Sequence, residues 1–508
     1  MQIDKRVIAL LLIALALRAA LFLIVPITGD AIFHYNFTKF IATHLYIPSF
    51  EIEVGAGALP YFHPPLQHLL GVPLYWLNPS LPFIAPIIYG VAGLFFLYKL
   101  VRLLFNEKIA LCSLAIASVF PPLLYYSAIN YTDSLMFLCA TAAFYFYFSY
   151  VKNSSTRFLA LSILFSGFAL LTHYHGVAVP LFLVFYSIFV RRERKTAILL
   201  LFFSLLIASP WYARNFILYG NPVFPVFNIG YYPNAQYDFM PFAESVSSLA
   251  NPLNWANIFT EFLIGAPNSG DAYSYFPLLE GKIPFFYPLL ALWLAIGMGI
   301  ALIFMRGIFL MLKEKKEHTL PFAFLFLLCT FFLIQTPYPR MYFSLLPFLL
   351  AGGAYGFIEL HSFFRGKLKE NARILFALFC AILILSLLCV TFAYAFTYKT
   401  IFEKHLAYYK LIGENTPPGA VILSNAPERI IFYSGRLANY FDDVKGRVPS
   451  AVLYSRNISA LKDYGITHAC CTNLLHSSAE EAEFYNTFTY APVFKYESGD
   501  YSGRCWKI

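Results

Sequence analysis

Lys5-Arg-Val-Ile-Ala-Leu10-Leu-Leu-Ile-Ala-Leu-Ala-Leu-Arg18-Ala-Ala-Leu-Phe-Leu-Ile-Val25-Pro-Ile-Thr-Gly-Asp30 is an apolar run with a basic start, one internal arginine and a carboxylate just past its end. It is long enough for a helix crossing a hydrocarbon core, which needs about 20 apolar residues. Pro26-Ile-Thr-Gly-Asp30 lacks a small-x-small cleavage site, so the run reads as a retained span and not as a removed leader. An ionisable group at membrane depth costs roughly 2.5–3.5 kcal/mol on insertion scales and is a functional candidate for that reason. Asp30 is the first place to look for chemistry.

The rest of the chain repeats this pattern. Of its 508 residues, 59% are hydrophobic and only 12% charged, the composition of a polytopic membrane protein. Fifty-five Phe and 37 Tyr suit lipid-facing and interfacial helices. The formal charge of +9 is spread in short clusters between apolar blocks, so it reads as a topology signal, and no nucleic-acid partner is expected.

Apolar blocks near residues 7–27, 82–98, 109–126, 134–151, 158–172, 176–190, 196–210, 285–305, 320–335, 341–358 and 374–397 predict 11 transmembrane helices. Basic residues cluster at Lys5-Arg6, Lys99/Arg102/Lys108, Lys152/Arg157, Arg191 to Lys195, Arg306/Lys313/Lys315/Lys316 and Arg365/Lys367/Lys369/Arg373, in alternate connections. The positive-inside rule puts these in the cytoplasm. Residues 158–190 are too long for one span, and cationic flanks at Arg157 and Arg191 require an even number of crossings, so the run is split at Thr172-His173-Tyr-His175-Gly176. The N-terminus is then cytoplasmic and Ile508 outside.

This topology collects the long loops, residues 28–81 and 211–284, on the outer face, together with 127–133, 336–340 and the tail. Loops of that length are more often functional than short connections are. Two of their segments, Tyr61 to Leu70 and Pro252 to Ile264, are apolar enough to lie as short interfacial helices. Composition turns polar at about residue 398, which divides the chain into 1–397, a transmembrane domain, and 398–508, a small extracytoplasmic α/β domain. The tail alternates strand-like and helix-like pieces at 420–424, 429–435, 459–465, 466–470 and 491–496. Five of the eight cysteines fall in predicted spans, and in an oxidising compartment Cys505 could bridge to Cys470 or Cys471. No Cys-x-x-Cys or paired-His spacing points to zinc.

Asp30 and His34 are four apart and share a face if the segment is helical; Asp30 could equally cap a helix beginning at Ala31. The pair Pro64-Pro65 stiffens the backbone after His63 and holds that imidazole at the interface, or simply makes a turn. Arg214, in Trp211-Tyr-Ala-Arg214-Asn215, and Arg340, in Gln335-Thr-Pro-Tyr-Pro-Arg340, are two outer-side arginines against the positive-inside bias. Each could clamp a lipid phosphate or anchor a helix.

Taken in order, Arg18, the Asp30 loop, Tyr61-Phe-His-Pro-Pro-Leu66, Trp211-Tyr-Ala-Arg-Asn215 with Tyr219-Gly-Asn-Pro222, the outer Arg340 and the polar tail resemble the GT-C superfamily of membrane glycosyltransferases. The likeness is greatest to the protein O-mannosyltransferase-like group that includes the aminoarabinose transferases. The resemblance implies an inverting transfer of a sugar from a polyprenyl-phosphate (dolichyl-phosphate) donor to a protein, lipid or glycan acceptor on the outer face. Asp30 would be the general base, and Arg214, Arg340 and His63 the contacts to the donor phosphate. Asp133 in the second outer loop, with His34, would take an acceptor or secondary acidic role, although Asp133 also suits an ordinary helix cap. No cofactor is required, with a divalent cation left open and metal ligands unassigned. Thr172-His173-Tyr174 stands where relatives often carry Lys-Tyr, so a permanent cation is absent there.

The competing classes are a transporter or flippase and an inactive scaffold of the same fold. Transporters carry related halves and ionisable residues near the midplane. Here the carboxylates avoid span centres and gather at outer mouths, which favours surface chemistry on a lipid-linked substrate.

Overall fold

The computed structural model describes residues 4–27, 29–49, 61, 63–223, 286–314, 316–335, 339–368, 372–424, 427–440, 458–472, 488, 491–498 and 501–508. The helices are α1 (Lys5–Phe22), α2 (Asp30–His44), α3 (Leu66–Leu77), α4 (Leu81–Leu104), α5 (Glu107–Val119), α6 (Pro121–Tyr126), α7 (Asp133–Asn153), α8 (Thr156–Thr172), α9 (Ala178–Phe189) and α10 (Arg194–Tyr219). They continue with α11 (Phe286–Glu314), α12 (Thr319–Gln335), α13 (Leu346–Leu368) and α14 (Ala372–Asn415). The tail holds β1 (Val421–Ser424), α15 (Pro427–Ser434), β2 (Leu437–Tyr440), α16 (Ile458–Asp463), β3 (His468–Thr472), β4 (Phe494–Ser498) and β5 (Tyr501–Lys507).

Helical structure covers each apolar block read from the sequence. Among the described residues, four helices are long and apolar enough to cross a membrane: Leu81–Leu104, Asp133–Asn153, Arg194–Tyr219 and Ile374–Asn415. The long run divides where it was split: α8 stops at Thr172, a short 3-10 turn occupies Tyr174–Val177, and α9 follows. Local chemistry sets these ends. The Asn106 side chain accepts from the amide of Ile109 at 3.0 Å and starts α5, and Phe120, extended before Pro121, stops it.

α1, α4, α5, α6 and α13 share one apolar core, built on Leu21, Leu94, Leu114, Leu124 and Leu350, while α7, α8 and α9 form a second around Phe144, Phe182 and Leu183. Arg18 lies inside the first core with no exposed surface. Its Nε donates to Ser127 Oγ at 2.8 Å, and Nη1 donates to the carbonyls of Ala14 at 3.1 Å and Ser118 at 3.3 Å. α4 accommodates this cluster only through Gly90, where an added Cβ would meet Ser127 Cβ at 2.5 Å. Arg18 therefore ties α1 to the turn at 127–133, a buried charge held by several partners.

In the tail, the sheet runs β2-β1-β3-β5-β4, with β2, β1 and β3 parallel and β5 antiparallel to both β3 and β4. β2 and β5 were not read from the sequence. The register puts Cys470 opposite Cys505, and the two form a disulfide across β3 and β5. Helix α14 continues without a break through residues 397 and 398, so one element belongs to both parts. Its last turns place Tyr408, Tyr409 and Ile412 in the core of the sheet domain beside Ile422 and Ile430. Tyr408 Oη donates to the carbonyls of Cys471 at 3.0 Å and Arg504 at 2.8 Å.

Candidate active site

The start of α2 and the start of α3 are built against the turn between α6 and α7. Gly29 occupies the N-cap of α2 with φ of +50°, a conformation L side chains rarely adopt. Asp30 is the first helical residue, half-buried, where the helix dipole favours a carboxylate. The capping position thus belongs to Gly29, whose lack of a side chain leaves capping to the backbone. Asn130 Nδ2 donates to the Ala31 carbonyl at 3.2 Å, and Gln67 Nε2 donates to Asn130 Oδ1 at 3.0 Å. The 127–133 turn so joins the first turn of α2 to the first turn of α3.

One turn after Asp30, the buried His34 begins a hydrogen-bonded chain. Its Nδ1 lies 2.8 Å from His68 Nε2, and His68 Nδ1 meets the Tyr61 hydroxyl. Tyr61 and His68 have no exposed surface. Burial, reinforced by the neighbouring His34 and His63, holds the His68 pKa well below its ordinary value and keeps the ring neutral. Burial likewise pushes the Tyr61 phenol up, so it remains a hydrogen-bond donor. Neutral His68 has one donor and one acceptor nitrogen, which matches a chain running from Tyr61 through His68 to His34. The half-buried His63 packs edge-on against His34 at 5.1 Å and Phe33 at 4.9 Å between ring centroids.

Arg214 enters from α10, which extends beyond the apolar block to Tyr219. Its guanidinium sits 4.9 Å from the Trp211 ring, 5.7 Å from Tyr61 and 5.8 Å from Tyr219. Nη2 donates to the Pro48 carbonyl and Nη1 donates to Asn215 Oδ1 at 3.0 Å. Arg214 is therefore fastened to the strand of chain leaving α2, with its aromatic neighbours around it.

The structure gathers Asp30, His34 and His63 in one region and links Arg214 to it through Tyr61. Asp133 opens α7 three residues beyond Asn130 and is buried, 1% exposed. Arg340 lies in a 3-10 turn, Pro339–Ser344, and its side chain falls outside the described residues, as does the segment 252–264. His173 ends α8 and its ring lies 3.9 Å from that of His175. Gln67, His68 and Asn130 were not singled out by sequence, and Tyr61 only as part of the Tyr61–Leu66 block; the signal available was their polarity within or beside an apolar helix. Among the described residues, no three His, Cys, Asp or Glu side chains converge on a point that could hold a metal ion.

Residues 82–213 match the model of the dolichyl-phosphate-mannose-protein mannosyltransferase family. No curated protein matches the sequence. An oligosaccharyltransferase of Archaeoglobus fulgidus, solved with zinc and sulfate, is similar over 91% of this chain and 67% of its own, with a TM-score of 0.58 and 14% identity. ArnT of Cupriavidus metallidurans, bound to undecaprenyl phosphate, is similar over 98% of this chain and 97% of its own, with a TM-score of 0.56 and 14% identity. The chain has the GT-C fold. Archaeal AglB, solved with an inhibitory peptide and a dolichol-phosphate, shares that GT-C fold at a TM-score of 0.55 and 12% identity, over 92% of this chain and 69% of its own. The matched family and these GT-C neighbours are glycosyltransferases.

Proposed function

We propose that this protein is a membrane glycosyltransferase that moves a sugar from a polyprenyl-phosphate carrier to an acceptor on the outer face, with inversion and with Asp30 as general base. The observation that carries the reading is Asp30 itself, half-exposed in the first turn of α2, beside a buried Tyr61–His68–His34 chain tied to Arg214. In the step proposed, Asp30 takes the proton of the acceptor hydroxyl as its oxygen attacks the anomeric carbon. The bond from that carbon to the phosphate oxygen breaks on the opposite face, and polyprenyl phosphate leaves with the bonding electrons. Phosphate is already a competent leaving group, so basic side chains need only meet the charge growing on its oxygens. Arg214, Arg340 and His63 are assigned that contact, and Asp133 and His34 the acceptor side.

The polyprenyl phosphates held by ArnT and AglB support the class of donor. We read 1–397 as the catalytic membrane domain and 398–508 as extracytoplasmic. The Cys470–Cys505 disulfide supports that side, since such bonds persist in oxidising compartments.

The test is transfer by purified protein in lipid, given a panel of radiolabelled polyprenyl-phosphate sugars with and without cell-envelope acceptors. Label should pass to an acceptor from at least one donor. Failure with every donor and acceptor would turn the reading towards a scaffold or transporter.

A further inference from the structure

At the end of the bundle away from Asp30, helices α5, α11, α13 and α14 leave a cavity of about 450 Å³. It is apolar along its length, with walls that include Ile116, Phe304, Phe357 and Leu387. Its polar groups gather at one end: Lys108 in the first turn of α5 and His361 on α13. A second apolar cavity of about 360 Å³ adjoins it between α11 and α14, and the two share Ile300 and Leu383 in their walls.

The polar end has a definite place along the membrane normal. Asp4 and Arg6, at the start of α1, lie within electrostatic reach of Arg102 and Glu107 respectively, so Lys108 sits at the same end as the N-terminus. Asp30 follows the opposite end of α1. From Lys108 to Val119 the cavity follows α5 for about 16 Å at 1.5 Å per residue. That is roughly half of a hydrocarbon core of about 30 Å, or one leaflet.

Lys108 is exposed, and its neighbour Glu107 is already engaged by Arg102 at 2.7 Å. A cation in a first helical turn gains nothing from the helix dipole, so its position is better suited to an external anion. The His361 ring rests edge-on against Phe376 at 4.9 Å, and both rings line the cavity. Arg365, exposed one turn further along α13, extends the positive rim.

We infer that these paired cavities hold one two-chain anionic phospholipid of the leaflet on the basic side, its phosphate at Lys108 and His361 and one acyl chain in each cavity. The depth of a single leaflet and the two adjoining chambers fit such a lipid better than a polyprenyl tail, which is one long chain. The positive rim selects an anionic over a zwitterionic headgroup. The site is separate from the proposed donor site, so its test does not depend on transfer.

The full chain, delipidated in detergent, is titrated with dioleoylphosphatidylglycerol, dioleoylphosphatidylcholine or undecaprenyl phosphate, and bound lipid is counted by native mass spectrometry. One phosphatidylglycerol should bind in preference to phosphatidylcholine, and Lys108→Gln should weaken it about fivefold, the effect of one lysine near an anionic lipid. Ala115→Trp, which fills the wall of the larger cavity, should remove it while leaving the melting temperature within the range of wild type. If that variant misfolds, a diazirine-bearing phosphatidylglycerol should still label peptides of α5 and α14 in the wild type. Equal binding of the two phospholipids, indifference to Lys108→Gln, labelling confined to other helices, or stoichiometric displacement by undecaprenyl phosphate would each overturn the assignment.

Discussion

The Tyr433 hydroxyl donates a hydrogen bond of 2.6 Å to the carbonyl of Ile27, three residues before Asp30. Beside it, Phe432 meets the ring of Tyr35 on α2 edge-on at 5.5 Å. The sheet domain thus rests through α15 on the loop that carries the proposed base. Tyr433→Phe should cost about 0.5–1.5 kcal/mol, the usual net worth of a hydrogen bond. Its signature would be faster amide exchange in the first turns of α2, measured by hydrogen–deuterium exchange. Exchange unchanged there would mean the contact does not hold the loop.

Asp30→Asn should lower sugar transfer by at least ~100-fold, the scale of general-base catalysis, while expression and donor binding persist. Asn keeps the size of Asp and remains acceptable at a helix start. Full activity in this variant would rule out the base assignment. Activity surviving there but lost in Asp133→Asn would move the role to the start of α7.

Arg214 is held by Pro48, Asn215 and three aromatic rings, so its truncation should act in two ways. Arg214→Gln should raise the donor KM and also lower the melting temperature, since cation–π contacts contribute roughly 0.5–2 kcal/mol. Arg214→Lys should restore charge but not the planar fork. A lower melting temperature with an unchanged donor KM would make Arg214 a brace and no phosphate ligand.

A pH dependence follows from His68. Its pKa is depressed by burial in the folded protein, whereas the unfolded value is about 6.5. As pH falls below that unfolded value, the unfolded chain takes up a proton that the folded chain refuses, so stability falls. The melting temperature should therefore drop from pH 7.5 to pH 5, and His68→Gln should flatten this dependence. A slope identical in the variant would assign the titration to other groups.

The helices of the apolar part were legible because their signal is hydrophobic run length, although among the described residues only four are long and apolar enough to cross a membrane. Even the break at His173 was recoverable from charge, as Arg157 and Arg191 bracket it. Of the residues proposed for the site, Asp30, His34, His63 and Arg214 stand out in the sequence as polar outliers. His68 and Asn130 were missed because their partners, Tyr61 and Gln67 among them, come from folding α3 and the 127–133 turn onto α2. In the tail, β5 escaped notice because Tyr501-Ser-Gly-Arg-Cys-Trp-Lys507 carries Gly503 inside a strand, which weakens the local signal.

α14 has 44 residues, about 66 Å at 1.5 Å per residue, more than twice the thickness of a hydrocarbon core. Its far end is sealed into the sheet domain by Tyr408, and that domain touches the chain at Ile27 through Tyr433. One helix thus joins the apolar bundle to the domain that rests three residues before Asp30, so the span and the mouth of the proposed site share a single rigid element.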